Sequence, residues 1–299
     1  MLVDNGGARP RSETVLTDCD LARVPSCTIV TASLPRFDGA ILEFSLKFRE
    51  RMKETVRLAL PRRTKAHRIK GGPLRGSLIY TSWHDYPGAI RGTTEHGLLD
   101  WFGANVKPGQ TWLDVGAHYG YTAIALGRLV GSPGRVFAFE PVLGTAAHLA
   151  KTVSLNGLPH VAVLPMGLGD APTITSRRLT TRRGMVEESA QAVSDEAEVV
   201  QFVALDSIWP LLAGDDRRVD GVKIDVQGME LSTLKGMQQM LGTHHPFLIV
   251  EFHHGVDRGA VLALLGSAGY SAQPWSISTR AEVSELIDDE SYLFGPARP

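Results

Sequence analysis

The chain has 299 residues, 43% of them hydrophobic and 21% charged, which supplies a sizeable core and excludes a compositionally disordered protein. Its 31 Lys and Arg stand against 32 Asp and Glu for a net charge of −1, which argues against a general nucleic-acid coat protein. The two cysteines, Cys19 and Cys27, make neither a disulfide framework nor a zinc site. No apolar run approaches the roughly 20 residues that span a bilayer, and the first twenty residues lack the basic start and apolar core of a signal peptide. The expectation is a soluble cytoplasmic protein with no membrane span.

The charge is unevenly distributed. Residues 1–75 carry 15 Lys and Arg against 8 Asp and Glu, and residues 76–299 carry 16 against 24. The first thirty residues show no sustained period. Phe44, Phe48, Met52, Val56 and Leu60 then recur every fourth residue and stop at Pro61, the apolar stripe of a helix with a basic face. That face suits a solvated surface, a dimer contact, an anionic substrate or a membrane interface. The division expected is an N-terminal extension over 1–75 with this basic helix, followed by one domain over 76–299.

From Thr111 onward short apolar runs alternate with helical patterns, the signature of βαβ units around a parallel sheet. The runs are 111–117, 135–141, 160–167, 219–226 and 247–252, with two further candidates at 271–277 and 291–296. Helices are expected over 121–129, 144–155, 205–212, 229–241 and 258–270. Residues 171–200 are polar with little periodicity, and their length suits either a lid or a disordered insertion.

In such a sheet ligands sit at the carboxyl ends of the strands, where strand order reverses. The first turn there reads Asp114-Val115-Gly116-Ala117-His118-Tyr119-Gly120-Tyr121-Thr122. Its glycines allow a tight turn and close backbone approach, and the helix that follows presents free N–H groups. The spacing is Asp-x-Gly-x-x-x-Gly rather than the dinucleotide Gly-x-Gly-x-x-Gly. It resembles the first motif of S-adenosylmethionine-dependent methyltransferases. Glu140, at the end of the second run, is placed to accept hydrogen bonds from ribose hydroxyls. Gly167 and Asp170, after the third run, fall where such folds line the adenine.

Five segments together resemble the FkbM family of methyltransferases: LDVGAHYGYTA, RVFAFEP, LNGL, Ala204-Leu205-Asp206, and VKIDVQGMELSTLKGM followed by FLIVEFHH. The resemblance spans residues 76–296, and its Lys-Ile-Asp-Val-x-Gly-x-Glu motif is the most specific part. Two positions depart from the family pattern, His118 where Asn is usual and Gln227 where Glu is usual. Membership implies a Rossmann-like class I α/β fold, with a mostly parallel seven-stranded sheet and helices on both faces. It also implies S-adenosylmethionine as methyl donor and O-methylation of a sugar or another small secondary metabolite.

Methyl transfer to a hydroxyl needs alignment and a base. Lys223 and Asp225 are two apart and share a face of the fourth strand, while Glu230 opens the next helix. Asp225 is expected to face the reacting atoms, with Lys223 and Glu230 orienting it. The bland alternative is an ion pair from Lys223 to Asp225 or Glu230. Glu251 and His253 share a face at the end of the fifth strand, and His253 is the second candidate base. The expected catalytic set is thus Asp225, His253, Lys223 and Glu230. The expected cofactor contacts are Glu95, Asp114, Gly116, His118, Gly120, Thr122, Glu140, Gly167, Asp170 and Asp225. No metal is expected. His244 and His245 lie a whole strand away from His253 and His254, and Asp225, Glu251 and His253 remain as a conceivable set. Trp83, His84, Asp85 and Tyr86 form a polar-aromatic cluster suited to acceptor contact. The expected partner is a small-molecule acceptor, with no nucleic acid and a homodimer as one option. N-methylation on the same scaffold, and a non-catalytic subunit using the basic helix, are the competing readings. An RNA methyltransferase is a weaker one.

Overall fold

The computed structural model describes residues 59–177, 180–182, 185–187, 198–213, 218–271 and 273–295. Cys19, Cys27 and the basic helix up to position 58 lie outside the described residues. β1 (Lys65–Arg68) and β2 (Leu78–Thr81) pair antiparallel, so position 75 falls inside a hairpin. That hairpin is tied to the sheet domain by Asn156. The Leu78 amide donates to Asn156 Oδ1 at 3.0 Å, and Asn156 Nδ2 donates to the Leu78 carbonyl at 2.6 Å. The Tyr80 amide donates to Thr152 Oγ1 at 3.0 Å. Two short helices, α1 (Pro87–Arg91) and α2 (His96–Asn105), lead into the sheet.

The main sheet contains β3 (Thr111–Val115), β4 (Arg135–Phe139), β5 (Val161–Leu164), β11 (Gly221–Ile224), β12 (Phe247–Phe252), β13 (Trp275–Ser276), β14 (Ala281–Glu282) and β15 (Glu290–Phe294). Their order is β14-β13-β15-β12-β11-β3-β4-β5. The run from β12 to β5 is parallel, and β15, β13 and β14 are antiparallel to their neighbours. The expected seven strands are therefore present, with the two-residue β14 added at one edge. The fold is a Rossmann-like α/β sheet. Every residue of β3 and β11 is buried, as a central parallel strand covered on both faces requires. Trp112 packs into the core on one face, and Leu113 and Val115 into the core on the other.

The crossover helices α3 (Tyr121–Val130), α4 (Leu143–Leu155), α5 (Leu205–Ala213) and α8 (Arg258–Ser267) lie close to their expected spans. The helix expected over 229–241 is instead two, α6 (Glu230–Lys235) and α7 (Gln238–His244). Gly236 explains the break. A Cβ there would lie 1.9 Å from the Gly169 carbonyl oxygen, and the Gly236 carbonyl accepts from the Asp206 amide at 2.9 Å. The chain is thus pinned where the helical pattern would have continued.

One expectation about the middle of the chain is corrected. β5 stops at Leu164, and Gly167–Leu168 forms β6 of a second sheet ordered β6-β10-β7, with β7 over Thr173–Arg177 and β10 over Glu198–Val203. The 171–200 insertion therefore contains strand pairing, including the small hairpin of β8 (Thr180–Arg182) and β9 (Met185–Glu187). The rest of it lies outside the described residues.

The break at Gly236 makes a paired prediction. Gly236→Ala forces backbone apart and is expected to cost about 1–3 kcal/mol or more. Gly242→Ala, within α7 and with nothing near its added Cβ, is expected to gain up to about 1 kcal/mol. Denaturant unfolding of both variants checks the contrast.

Candidate active site

Strand order reverses between β3 and β11, and the carboxyl ends of these two strands open into a cavity of about 1180 Å³. The β11–β3 register sets Lys223 beside Asp114. Lys223 Nζ is 3.1 Å from Asp225 Oδ2, 3.3 Å from the Gly116 carbonyl and 3.7 Å from Asp114 Oδ1. Burial would strip the proton from this ammonium. The carboxylates of Asp225, Asp114, Glu95 and Glu251 outweigh that effect and hold its pKa above the ordinary lysine value. Asp225 responds in the opposite sense. Burial pushes its carboxyl up, but Lys223 and His253 bring it below the usual range.

The glycine turn is shaped by close approach. Gly116 has φ 80°, and a Cβ on it would sit 1.8 Å from the Asp225 carbonyl oxygen. Thr122 Oγ1 donates to Asp114 Oδ2 at 2.7 Å, closing the turn onto its own strand. Glu140 is buried just past β4. Its Oε2 accepts from the His118 amide and its Oε1 from the Val142 amide, both at 3.0 Å. Burial still pushes its pKa up to about 7, against the pull of those two amides.

On the other side, His253 Nδ1 lies 2.6 Å from Oε1 of the fully buried Glu230. Its Nε2 faces the cavity, 2.7 Å from the Gln227 side-chain nitrogen, 3.5 Å from Asp225 Oδ1 and 3.7 Å from Glu251 Oε1. Burial lowers the imidazole pKa. The Glu230 hydrogen bond and the charges of Asp225, Glu230 and Glu251 overcome this and raise it. Glu251 is pushed up to about 7 by burial and by the charges of Asp225 and Glu95.

Lys223, Asp225 and His253 line the cavity, as do Glu95, Gly116, His118, Thr122, Glu140, Gly167 and Asp170. Three expected residues stand behind its wall. Asp114 is fully buried beneath Thr122 and Lys223. Gly120 caps α3 with φ 90°, its missing side chain making room for Leu149. Glu230 orients His253 rather than Asp225, because α6 carries it against the end of β12, and Asp225 is held by Lys223 instead. Tyr86 and Asp85 of the polar-aromatic cluster reach the cavity. Phe202 on β10 and Ser232 on α6 also line it and carried no sequence signal of function. Ser232 Oγ donates to Asp170 Oδ1 at 3.1 Å.

A family profile described as the methyltransferase FkbM domain matches residues 114–272. The chain belongs to the FkbM methyltransferase family. The FkbM chain is 30% identical over 183 residues to the hexuronic acid methyltransferase AglP of Haloferax volcanii, a match covering 61% of this chain and 68% of that protein. Among solved structures, the FkbM methyltransferase of Methylobacillus flagellatus matches with 17% identity and a TM-score of 0.44, over 70% of this chain and 52% of that one. Fibrillarin of Aeropyrum pernix, solved with bound S-adenosylmethionine, matches with 13% identity and a TM-score of 0.41, over 78% and 87%. No helix among the described residues of the FkbM chain is long and apolar enough to cross a membrane.

The raised Glu140 pKa carries a sign that can be measured. Between the ordinary glutamate value of 4.5 and about 7 the folded protein holds a proton that the unfolded chain releases. Stability should therefore fall as pH rises through that window, by about 3 kcal/mol from this group alone. Glu140→Gln is expected to remove that part of the slope, read as the difference between the two proteins' unfolding free energies across pH 4.5 to 7.

Proposed function

We propose that the protein transfers a methyl group from S-adenosylmethionine to a hydroxyl of a sugar-containing acceptor. The observation that carries this reading is the charge and shape of the cavity. Among the described residues its lining brings Asp85, Glu95, Glu140, Asp170, Asp225, Glu251 and Asp289 together with one ammonium, Lys223. Such an excess of carboxylate favours a sulfonium cation. Glu140 retains lone pairs for ribose hydroxyls, and the N-terminus of α3 with the Gly116 turn suits the carboxylate of the methionine part. The residues present therefore fit the donor. When bound, S-adenosylmethionine supplies an electrophilic methyl group.

The chain's own part is to hold and activate the acceptor. Asp225 Oδ1, Glu251 Oε1 and His253 Nε2 converge at the carboxyl ends of β11 and β12, where a hydroxyl can be received and its proton withdrawn. Glu230 locks the imidazole plane, and Lys223 locks Asp225. Tyr86, half-buried and edge-on to His118 at 5.0 Å between ring centres, also lines the site. Membership of the FkbM family and the hexuronic acid methyltransferase relative support a sugar as acceptor. An acidic cavity would turn a uronic carboxylate away from Asp225 and toward the mouth. The same acidity favours an amine acceptor as the second reading.

Calorimetric titration with S-adenosylhomocysteine should give micromolar binding, about −8 kcal/mol, with no response to NAD. Glu140→Ala should weaken it at least about tenfold, a loss of about 1.4 kcal/mol. With donor and uronic acid glycosides, Asp225→Asn and His253→Ala should each slow turnover by about 10²–10⁴-fold, and mass and NMR analysis of the product should place the methyl on oxygen. Methyl on nitrogen, with little loss in both variants, would select the amine reading. Silence toward S-adenosylhomocysteine from folded protein would overturn the donor.

A further inference from the structure

We infer that Asp225, Glu251 and His253 form a binding site for a divalent cation of the magnesium or manganese kind. The inference deepens the proposed function, because such a cation would receive the acceptor hydroxyl, but cation binding itself requires neither donor nor acceptor.

The three residues stand at the ends of adjacent parallel strands, and each has one polar atom already engaged by the protein. Asp225 Oδ2 is held by Lys223 at 3.1 Å. Glu251 Oε2 accepts from Ser291 Oγ at 2.9 Å. His253 Nδ1 meets Glu230 at 2.6 Å. What remains is Asp225 Oδ1, Glu251 Oε1 and His253 Nε2, the last met by Gln227 Nε2 at 2.7 Å, and one ligand atom from each residue lies within 4.8 Å of the other two. The two contacts to Nε2 are 3.5 and 3.7 Å. Metal–ligand bonds of about 2.0–2.2 Å place neighbouring ligand atoms about 3.0–3.6 Å apart, so small movements would close the set.

Three further observations bear on the same point. A ligating histidine characteristically donates its other ring nitrogen to a carboxylate, which fixes the tautomer and directs the free nitrogen at the metal. Glu230 does this from a fully buried position, and its Oε2 has no hydrogen-bond partner. Its charge is therefore answered chiefly through the imidazole. The carboxylate excess of the cavity persists after one sulfonium is bound, and a dication beside Asp225 and Glu251 offsets it further. Gln227 is exposed on a turn with φ 53° and lies against Nε2. With its amide turned over it offers a carbonyl oxygen instead of N–H.

Two carboxylates with one imidazole and open positions suit a hard or borderline cation better than a thiolate-loving one. An acceptor hydroxyl taking an open position would be acidified by the charge. Its O–H bond breaks, the proton passes to water, and the electron pair stays on the oxygen held by the cation.

The test is a titration of the chelator-stripped full-length chain with manganese(II), followed by electron paramagnetic resonance and calorimetry. One micromolar site is expected, weakened in Glu251→Gln and in His253→Ala by at least about the 10-fold that loss of even a supporting partner costs. Retained S-adenosylhomocysteine binding in these variants would show that they fold. Absence of manganese binding up to millimolar concentration, or unchanged binding in both variants, would overturn the inference while leaving the methyltransferase reading in place. Manganese bound with no response to S-adenosylhomocysteine would do the reverse.

Discussion

The ammonium of Lys223 is the interaction on which the site depends. It is buried, and its contacts join three pieces of chain: the end of β3 through Asp114, the glycine turn through the Gly116 carbonyl, and the end of β11 through Asp225. A buried ammonium is stable only when its partners are charged and close. The carboxylates in turn are tolerated because the ammonium is there, and Asp225 stays ionised for that reason. Removing either side leaves an uncompensated charge at the switch point of the sheet. One parallel register, Lys223 against Asp114, thus sets the shape of the turn and the charge of Asp225 at the cavity wall.

The cavity has two halves built by different means. The half at the glycine turn is mostly backbone. Gly116 lets β3 pass against the Asp225 carbonyl, and the His118 amide is fixed by Glu140. The half at the ends of β11 and β12 is side chains oriented by side chains: Ser291 on Glu251, Glu230 on His253, Lys223 on Asp225. Such paired support holds reactive groups more tightly than their own rotamers could. The second sheet closes the cavity from one side through Phe202 of β10. Gly167 lacks a side chain there because a Cβ would lie 2.4 Å from the Phe202 ring.

Most of the strands and the ends at which ligands gather were legible in the sequence, because buried parallel strands read as apolar runs whose charged residues stand out. Lys223, Asp225, Glu251 and His253 were visible for that reason, and the relation of Lys223 to Asp225 follows from spacing alone. The partner of Glu230 was not. It meets His253 across 23 positions of sequence, and which acid on α6 reaches which strand end depends on helix rotation and inter-strand register. Gly236 was similarly opaque, since a glycine in a helical pattern reads as a small defect until the opposing Gly169 carbonyl is known. Gly167 and Asp170 were assigned to the end of β5 by linear order, whereas the chain leaves the main sheet at Leu164 to pair with β10. β7 and β10 carry apolar residues on their exposed side as well, Ile174 and Val199, so these strands left no clean apolar alternation to read.

Backbone conformation supplies the part of the site that no residue pattern discloses. Among the described residues, six other than glycine have positive φ: Glu95, His118, Gln227, His245, Arg280 and Asp289. Four of these, Glu95, His118, Gln227 and Asp289, line the one cavity. A left-handed conformation costs a side-chain-bearing residue energy, and it persists only where the surroundings over-determine it. Here the determinants are on view: Glu140 holds the amide of His118, and Gln227 precedes Gly228 at φ 98° in the turn that brings Glu230 under His253. Strain gathered on four cavity-lining positions, one of them Glu95 within reach of the Lys223 charge, is the imprint of a surface shaped for a ligand. The remaining two, His245 and Arg280, close a helix and a turn away from it.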